Sequence, residues 1–156
     1  AFVSVGREQV LEMLEEVFAG ISGLKGVHCC GNTDWSILLS TSVDILSLDA
    51  YKYAESLALY PEEVKKFLER EGIIAWGIAP TGPPATTETV ESLVARLEDA
   101  IDMLAAKGVP KELLLQSGLI TPSCGTGSLS PDLAERAFYL AAGVSSAMRR
   151  RYAEGM

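Results

Sequence analysis

The stretch IIAWGIAPTGPPATT, Ile73–Thr87, changes composition at Pro80. Residues 73–79 form an apolar run of strand length without alternating polar residues, and Pro80–Thr87 is dense in proline, glycine and threonine. A strand that is apolar on both sides is typical of a parallel sheet covered by helices. The turn-forming residues that follow indicate a loop at the carboxyl end of this strand. The stretch therefore predicts an α/β fold.

Strands and helices are predicted on both sides of this stretch. Three further strands are predicted at Leu24–Cys29, Val43–Leu48 and Leu119–Thr121, although Leu113–Ile120 fits either the end of a helix or a strand. Apolar residues spaced three and four apart predict helices. These cover Arg7–Ile21, Ser36–Thr41, Tyr51–Tyr60 and Pro61–Glu71, then a longest helix capped by Thr87 and stopped at Gly108, and a last helix opened by Pro131.

The predicted order is one helix followed by four strand–helix repeats. This order predicts one α/β domain over residues 1–156, with four parallel β/α units, which is half of a (β/α)8 barrel. Half a barrel cannot close its own sheet. Either material outside this sequence covers the sheet edges, or the chain is an open α/β layer that associates with a partner.

Composition excludes several classes of protein. The formal net charge of −8 argues against binding to nucleic acid, which requires a basic surface. No apolar run is long enough for a membrane span and no signal peptide is visible, so we expect a cytoplasmic protein. Three cysteines, two of them adjacent, form a poor disulfide framework.

Two groups of metal-binding residue types lie at the carboxyl ends of the first and last predicted strands. His28, Cys29 and Cys30 follow one strand, and Cys124 follows the other. Alternation places His28 and Cys30 on one side of the chain and Cys29 on the other, where we expect it in the core. One imidazole and two thiolates are ordinary zinc ligands, and three protein ligands leave a fourth position open, as in catalytic sites. Burial of the cysteines without a metal is the alternative.

Other residues on this rim are weaker candidates. Asp49 closes the second strand and is either a fourth ligand or a carboxylate that orients His28. Asn32 and Ser123 are candidates for substrate binding, with helix capping as the alternative for Asn32. A redox pair of Cys29 and Cys30 is disfavoured, because disulfides between adjacent cysteines are strained.

Two motifs carry a resemblance to a known superfamily. HCCGNTDWSILLSTSVDILSLDA, His28–Ala50, and LITPSCGTGSLS, Leu119–Ser130, resemble the C-terminal half of the superfamily that contains cobalamin-independent methionine synthase, the methylcobamide:coenzyme M methyltransferases and uroporphyrinogen decarboxylase. The first motif looks most like the corrinoid-dependent methyltransferases, and the second is similar to the cysteine motif of the methionine synthase branch. The resemblance covers nearly the whole chain but only half of a superfamily member.

The resemblance implies a (β/α)8 TIM barrel with zinc held by His28, Cys30 and Cys124. Asp49 falls where the methionine synthase branch has an acidic ligand. The implied activity is methyl transfer from a corrinoid or folate donor to a zinc-bound thiol such as homocysteine or coenzyme M. The implied partners are a small thiol, a corrinoid protein, and the missing N-terminal half-barrel or a second copy of this chain. The alternative is a non-catalytic half-barrel that serves as a structural or partner-binding module.

Overall fold

The computed structural model describes residues 5–152, and within that range four strands form one parallel sheet. The strands are β1 (Gly26–Cys29), β2 (Ile45–Leu48), β3 (Ile73–Ala79) and β4 (Gly118–Pro122). They lie side by side in chain order, and each neighbouring pair is parallel. The predicted parallel sheet is therefore confirmed.

Helices connect and flank the strands. They are α1 (Arg7–Ala19), α2 (Trp35–Leu39), α3 (Ala50–Leu57), α4 (Pro61–Glu69), α5 (Val90–Ala105), α6 (Lys111–Gln116) and α7 (Pro131–Tyr152), with a short 3-10 turn at Pro83–Thr86. This order confirms an α/β fold with flanking helices, and its architecture is compatible with half of a β/α barrel.

The two faces of the sheet differ in their surroundings. Successive strand residues point to opposite faces. On one face, Leu46, Ile74 and Trp76 are buried in the apolar core that the helices share. On the other face, His28 is exposed and Leu119 keeps 47% of its surface accessible. The helices therefore cover one face, and the second face is more open.

The start of α5 differs from the prediction. Thr89, not Thr87, caps this helix: its hydroxyl accepts from the Ser92 amide at 3.1 Å, and the Ser92 hydroxyl accepts from the Thr89 amide at 3.0 Å. Thr87 instead ends the preceding 3-10 turn, where its amide donates to the Pro84 carbonyl at 3.1 Å.

The helix predicted to be the longest is not the longest in the described part of the chain. It has 16 residues, whereas α7 has 22. In α7, Leu140, Val144 and Met148 form a buried face, and the helix extends to Tyr152, the last described residue. By contrast, α5 ends at Ala105, shortly before Gly108 and Pro110.

The first two strands are shorter at their beginnings than predicted. Lys25 and Asp44 precede β1 and β2, and there the Lys25 amide donates to the Asp44 carboxylate at 2.7 Å. The segment Leu113–Ile120, for which the sequence allowed either a helix end or a strand, contains both, since α6 ends at Gln116 and β4 begins at Gly118.

Across residues 5–152, no helix has the length and apolar character needed to cross a membrane.

Candidate metal centre

Three potential metal ligands lie together at the carboxyl ends of β1 and β4. A ring nitrogen of His28 and the Sγ atoms of Cys30 and Cys124 all lie within 4.8 Å of one another. His28 and Cys30 are exposed and Cys124 is half-buried, so a small molecule can reach the group. This group could hold a metal ion.

The two strands that carry these ligands are the outer strands of the sheet. Neighbouring strands are about 4.8 Å apart, so the backbones of β1 and β4 would lie roughly 14 Å apart in a flat sheet. His28 lies within β1 and Cys124 lies two residues beyond the end of β4, so their meeting requires curvature of the sheet, extension of the loop after β4 toward β1, or both.

Ser47 holds the His28 ring. The two residues are partners in the β1–β2 register, and Ser47 Oγ lies 2.9 Å from His28 Nδ1. With Nδ1 engaged in this hydrogen bond, Nε2 is the nitrogen left for a metal. A hydrogen bond to the second nitrogen of a metal-binding histidine fixes the ring orientation and the tautomer.

The loop that carries Cys124 is tied to the end of β3. The Ser123 amide donates to the Ala79 carbonyl at 2.8 Å, and the Ser123 hydroxyl lies 3.1 Å from that of Thr81. Gly77 allows this close approach, because a Cβ at residue 77 would lie 2.9 Å from the Ser123 Cα. Ser123 is only 3% exposed, so the structure gives it a role in holding the Cys124 loop.

The Cys30 and Cys124 thiols are close enough to influence each other. A hydrogen bond with Cys124, together with repulsion between the two thiolates, raises the pKa of the Cys30 thiol. Cys29 lies apart from them, since it packs against the apolar core and its Sγ is 3.7 Å from the Gly31 carbonyl oxygen. Cys29 is half-buried and packs against the core, on the side of the strand that its alternation predicts.

Asp49 has partners outside the group of three. Its carboxylate accepts from the Lys52 amide at 3.0 Å, which caps α3, and lies 3.7 Å from Lys52 Nζ. Burial raises the pKa of Asp49, and the hydrogen bond and charge of Lys52 oppose that rise. Ser47, rather than a carboxylate, is the partner of His28 Nδ1. Coordination by Asp49 stays a prediction.

Asn32 is exposed in the loop after Cys30. The cap of α2 is Asp34, whose carboxylate accepts from the Ser36 amide at 3.0 Å. Asn32 does not make this capping bond. It is exposed two residues after Cys30 in the chain. Its contact with a substrate stays a prediction.

The donor set fits a tetrahedral metal. Bonds of about 2.3 Å to sulfur and 2.1 Å to nitrogen place tetrahedral ligand atoms roughly 3–4 Å apart. The three ligand atoms lie within 4.8 Å of one another, so metal binding would require only a small inward movement of these side chains. Two residues that the sequence did not indicate support the group: Ser47 in β2 contacts His28, and Thr81 in the loop after β3 contacts Ser123, the neighbour of Cys124. The sequence feature that could have indicated Ser47 is its position as a polar residue inside an otherwise apolar strand.

No protein-family model, curated protein or solved structure matches this chain. The fold and site alone thus define an α/β protein with a group of one histidine and two cysteines that could hold a metal ion.

Proposed function

We propose that this chain is the C-terminal half of a zinc-dependent methyltransferase with a (β/α)8 barrel, which methylates a small thiol. The observation that carries the proposal is the meeting of His28, Cys30 and Cys124 within 4.8 Å. Active sites of β/α barrels lie at the carboxyl ends of the strands, where these three residues lie.

Three features of the sheet support the barrel. The four strands are parallel and follow one another in chain order, as in consecutive units of a β/α barrel. The helices cover one face, and the more open second face corresponds to a barrel interior. Strands β1 and β4 are sheet edges, and a closed barrel has none. The N-terminal half-barrel, or a second copy of the chain, would pair with them.

The donor set supports zinc as the metal. Soft thiolates and imidazole are characteristic zinc ligands, and among the described residues 5–152 this group of three includes no carboxylate. Three protein ligands leave one tetrahedral position for a substrate. When bound, zinc supplies a Lewis acid that lowers the pKa of a coordinated substrate thiol.

The chain's own residues set the properties of this position. Thiolates from Cys30 and Cys124 would offset the charge of a divalent ion, so a substrate thiolate bound beside them would stay electron-rich and nucleophilic. Ser47 orients the imidazole of His28, and the Ser123–Thr81 contact fixes the loop of Cys124. The exposure of His28 and Cys30 leaves room for a methyl donor, for which we propose a corrinoid or a folate.

A purely structural metal is the second candidate function. The observation that favours it is that the ligands join the first and last strands of the sheet, so a metal would act as a crosslink. In that case the chain is a non-catalytic module. The two candidates differ in whether a thiol reaches the metal and is methylated.

Elemental mass spectrometry on protein purified without added metal tests the metal site. We expect about one zinc per chain, most of it lost in Cys124→Ser and retained in Cys29→Ser, because Cys29 faces the core. Absence of zinc, or equal zinc in both variants, would overturn the proposal. Methylation of homocysteine or coenzyme M by the zinc-loaded protein, with its complementary half present, separates the catalytic candidate from the structural one.

A further inference from the structure

A second site lies at the opposite end of the sheet from the metal ligands. A cavity of about 360 Å³ opens beside Gly118, the first residue of β4, whereas Cys124 follows the last residue of that strand. Its walls come from β3, β4, α5, α6 and α7, with Leu97, Leu114 and Met148 among the apolar side chains. Its volume falls within the range of about 300–1,000 Å³ that is usual for small-molecule pockets.

One wall of the cavity contains a buried donor without an acceptor. Trp76 is 1% exposed, and its Nε1 has no hydrogen-bond partner in the described structure. Leaving such a group unpaired is unfavourable, because it loses its hydrogen bond to water and gains none in the protein. The indole nitrogen lies beside Gly118, where an added Cβ would come within 3.3 Å of it, and both residues line the cavity. A ligand that brings an acceptor oxygen would satisfy this donor.

The charged and polar side chains of the cavity favour an anion. Arg149 lines it, and its Nη2 donates to the Ser145 hydroxyl at 2.7 Å, which restrains the guanidinium at the cavity. No acidic side chain lines the cavity in the part of the chain that the structure describes. Arginine is well suited to bind carboxylates because its planar group offers paired donors.

We propose that this cavity binds a small apolar carboxylic acid. The hydrocarbon part contacts the leucine, isoleucine and methionine walls, and the carboxylate supplies both an acceptor oxygen and a charge for Arg149. The cavity is separate from the candidate metal centre, since none of the three metal ligands lines it.

Nuclear magnetic resonance of the indole groups tests this proposal directly. The sequence has two tryptophans, so the ¹⁵N-labelled chain of residues 1–156 gives two indole N–H signals, which Trp35→Phe assigns. Trp35 is an internal control, because its Nε1 already donates to the Ser56 hydroxyl at 2.8 Å. Decanoate below its micellar concentration is the probe. We expect a saturable shift of the Trp76 signal and little movement of the Trp35 signal.

Two variants and one neutral probe test the role of charge. We expect Arg149→Met to weaken decanoate binding about tenfold, and Arg150→Met, which removes an adjacent exposed arginine that does not line the cavity, to change it less than twofold. Decanol should bind about tenfold more weakly than decanoate. The proposal is overturned if the Trp76 signal does not saturate, if decanol binds as well as decanoate, or if the two arginine variants are equally affected.

Discussion

At the scale of single residues, Ser47 determines the orientation of the histidine in the candidate metal centre. Its hydroxyl lies 2.9 Å from His28 Nδ1, across one step of the β1–β2 ladder. Because both residues belong to strands, the hydrogen bond is fixed by the sheet register rather than by a mobile loop. The imidazole therefore has a defined orientation before a metal binds.

Replacing Ser47 by alanine should weaken zinc binding without unfolding the protein. The variant leaves the ligands in place but frees the His28 ring, and loss of such a partner lowers metal affinity about 10–100-fold. A competition titration against a chromogenic chelator measures the change. Ser47→Thr, which keeps a hydroxyl, should restore most of the affinity, and equal affinity in all three proteins would contradict a role for Ser47.

The ligands were easier to predict from the sequence than the residues that hold them. His28, Cys30 and Cys124 stand out by residue type at the ends of apolar runs. Ser47 is chemically ordinary, and its contact with His28 depends on the register of two strands that are 19 residues apart. Register depends on packing of the whole sheet, and one sequence does not specify it locally.

At the scale of secondary-structure elements, α5 depends on the reciprocal cap between Thr89 and Ser92. Removing the hydroxyl in Thr89→Ala should lower the free energy of unfolding by about 1 kcal/mol, since the first turn loses its cap. Thr87→Ala is the matched control and should change it by less than about 0.5 kcal/mol, because Thr87 is exposed on a short turn. Urea denaturation measures both, and the reverse order would contradict this assignment of the cap.

The end of α7 is fastened to α5 by Glu98. Burial raises the pKa of this carboxyl, but hydrogen bonds from the Tyr152 hydroxyl and the Arg151 guanidinium outweigh it, so its pKa lies below the ordinary value. A depressed folded-state pKa stabilises the protein fully above the unfolded-state pKa, about 4.3, and this contribution is lost as the pH falls through the folded-state pKa. Acid should therefore loosen this contact.

Glu98→Gln should remove this pH-dependent contribution. We expect the variant to be less stable than the unmodified protein at pH 7 by roughly 0.5–1 kcal/mol, a typical value for a partly exposed ion pair. The difference should be smaller at about pH 3, below the unfolded-state pKa of about 4.3, because protonation of the carboxyl removes its charge. Chemical denaturation at the two pH values tests this, with the exposed Glu135→Gln in α7 as the control. A difference that is constant with pH would contradict it.

The predicted elements were most accurate where composition changes sharply. β3 was predicted at Ile73–Ala79 and ends there in the structure, because Pro80 follows a fully apolar run. The predicted start of α5 was wrong because three nearby threonines, Thr86, Thr87 and Thr89, all offer plausible caps, and the 3-10 turn at Pro83–Thr86 occupies the first of them. Turns of this kind depend on a few backbone angles that residue type specifies poorly.

At the scale of the whole molecule, a metal at His28, Cys30 and Cys124 would link the two edges of the sheet. Zinc should therefore stabilise the folded chain: at a free concentration 100 times its dissociation constant, the gain is about 2.7 kcal/mol. Thermal unfolding with zinc and with a chelator measures this gain. Cys124→Ser should abolish most of it and Cys29→Ser should not, and zinc-independent unfolding of the parent protein would contradict the prediction.

The sequence predicts the parallel sheet and its flanking helices, but not whether the sheet closes into a barrel. Apolar strands in repeating order with helices indicate a parallel sheet, and the structure confirms one. Whether that sheet belongs to a closed barrel depends on what pairs with β1 and β4. The half-exposed Leu119 on edge strand β4 shows that this face of the sheet is open. It does not specify which chain would cover that face.

The separation of the metal ligands along the chain bears on how the site forms during synthesis. His28 and Cys30 leave the ribosome roughly ninety residues before Cys124. At about 5–20 residues per second, the first two ligands wait on the order of 5–20 seconds for the third. Through that interval the nascent chain has only an incomplete binding site, and a chain truncated before Cys124 never gains a complete one. Any metal binding that needs all three side chains would thus require a chain that extends at least to Cys124.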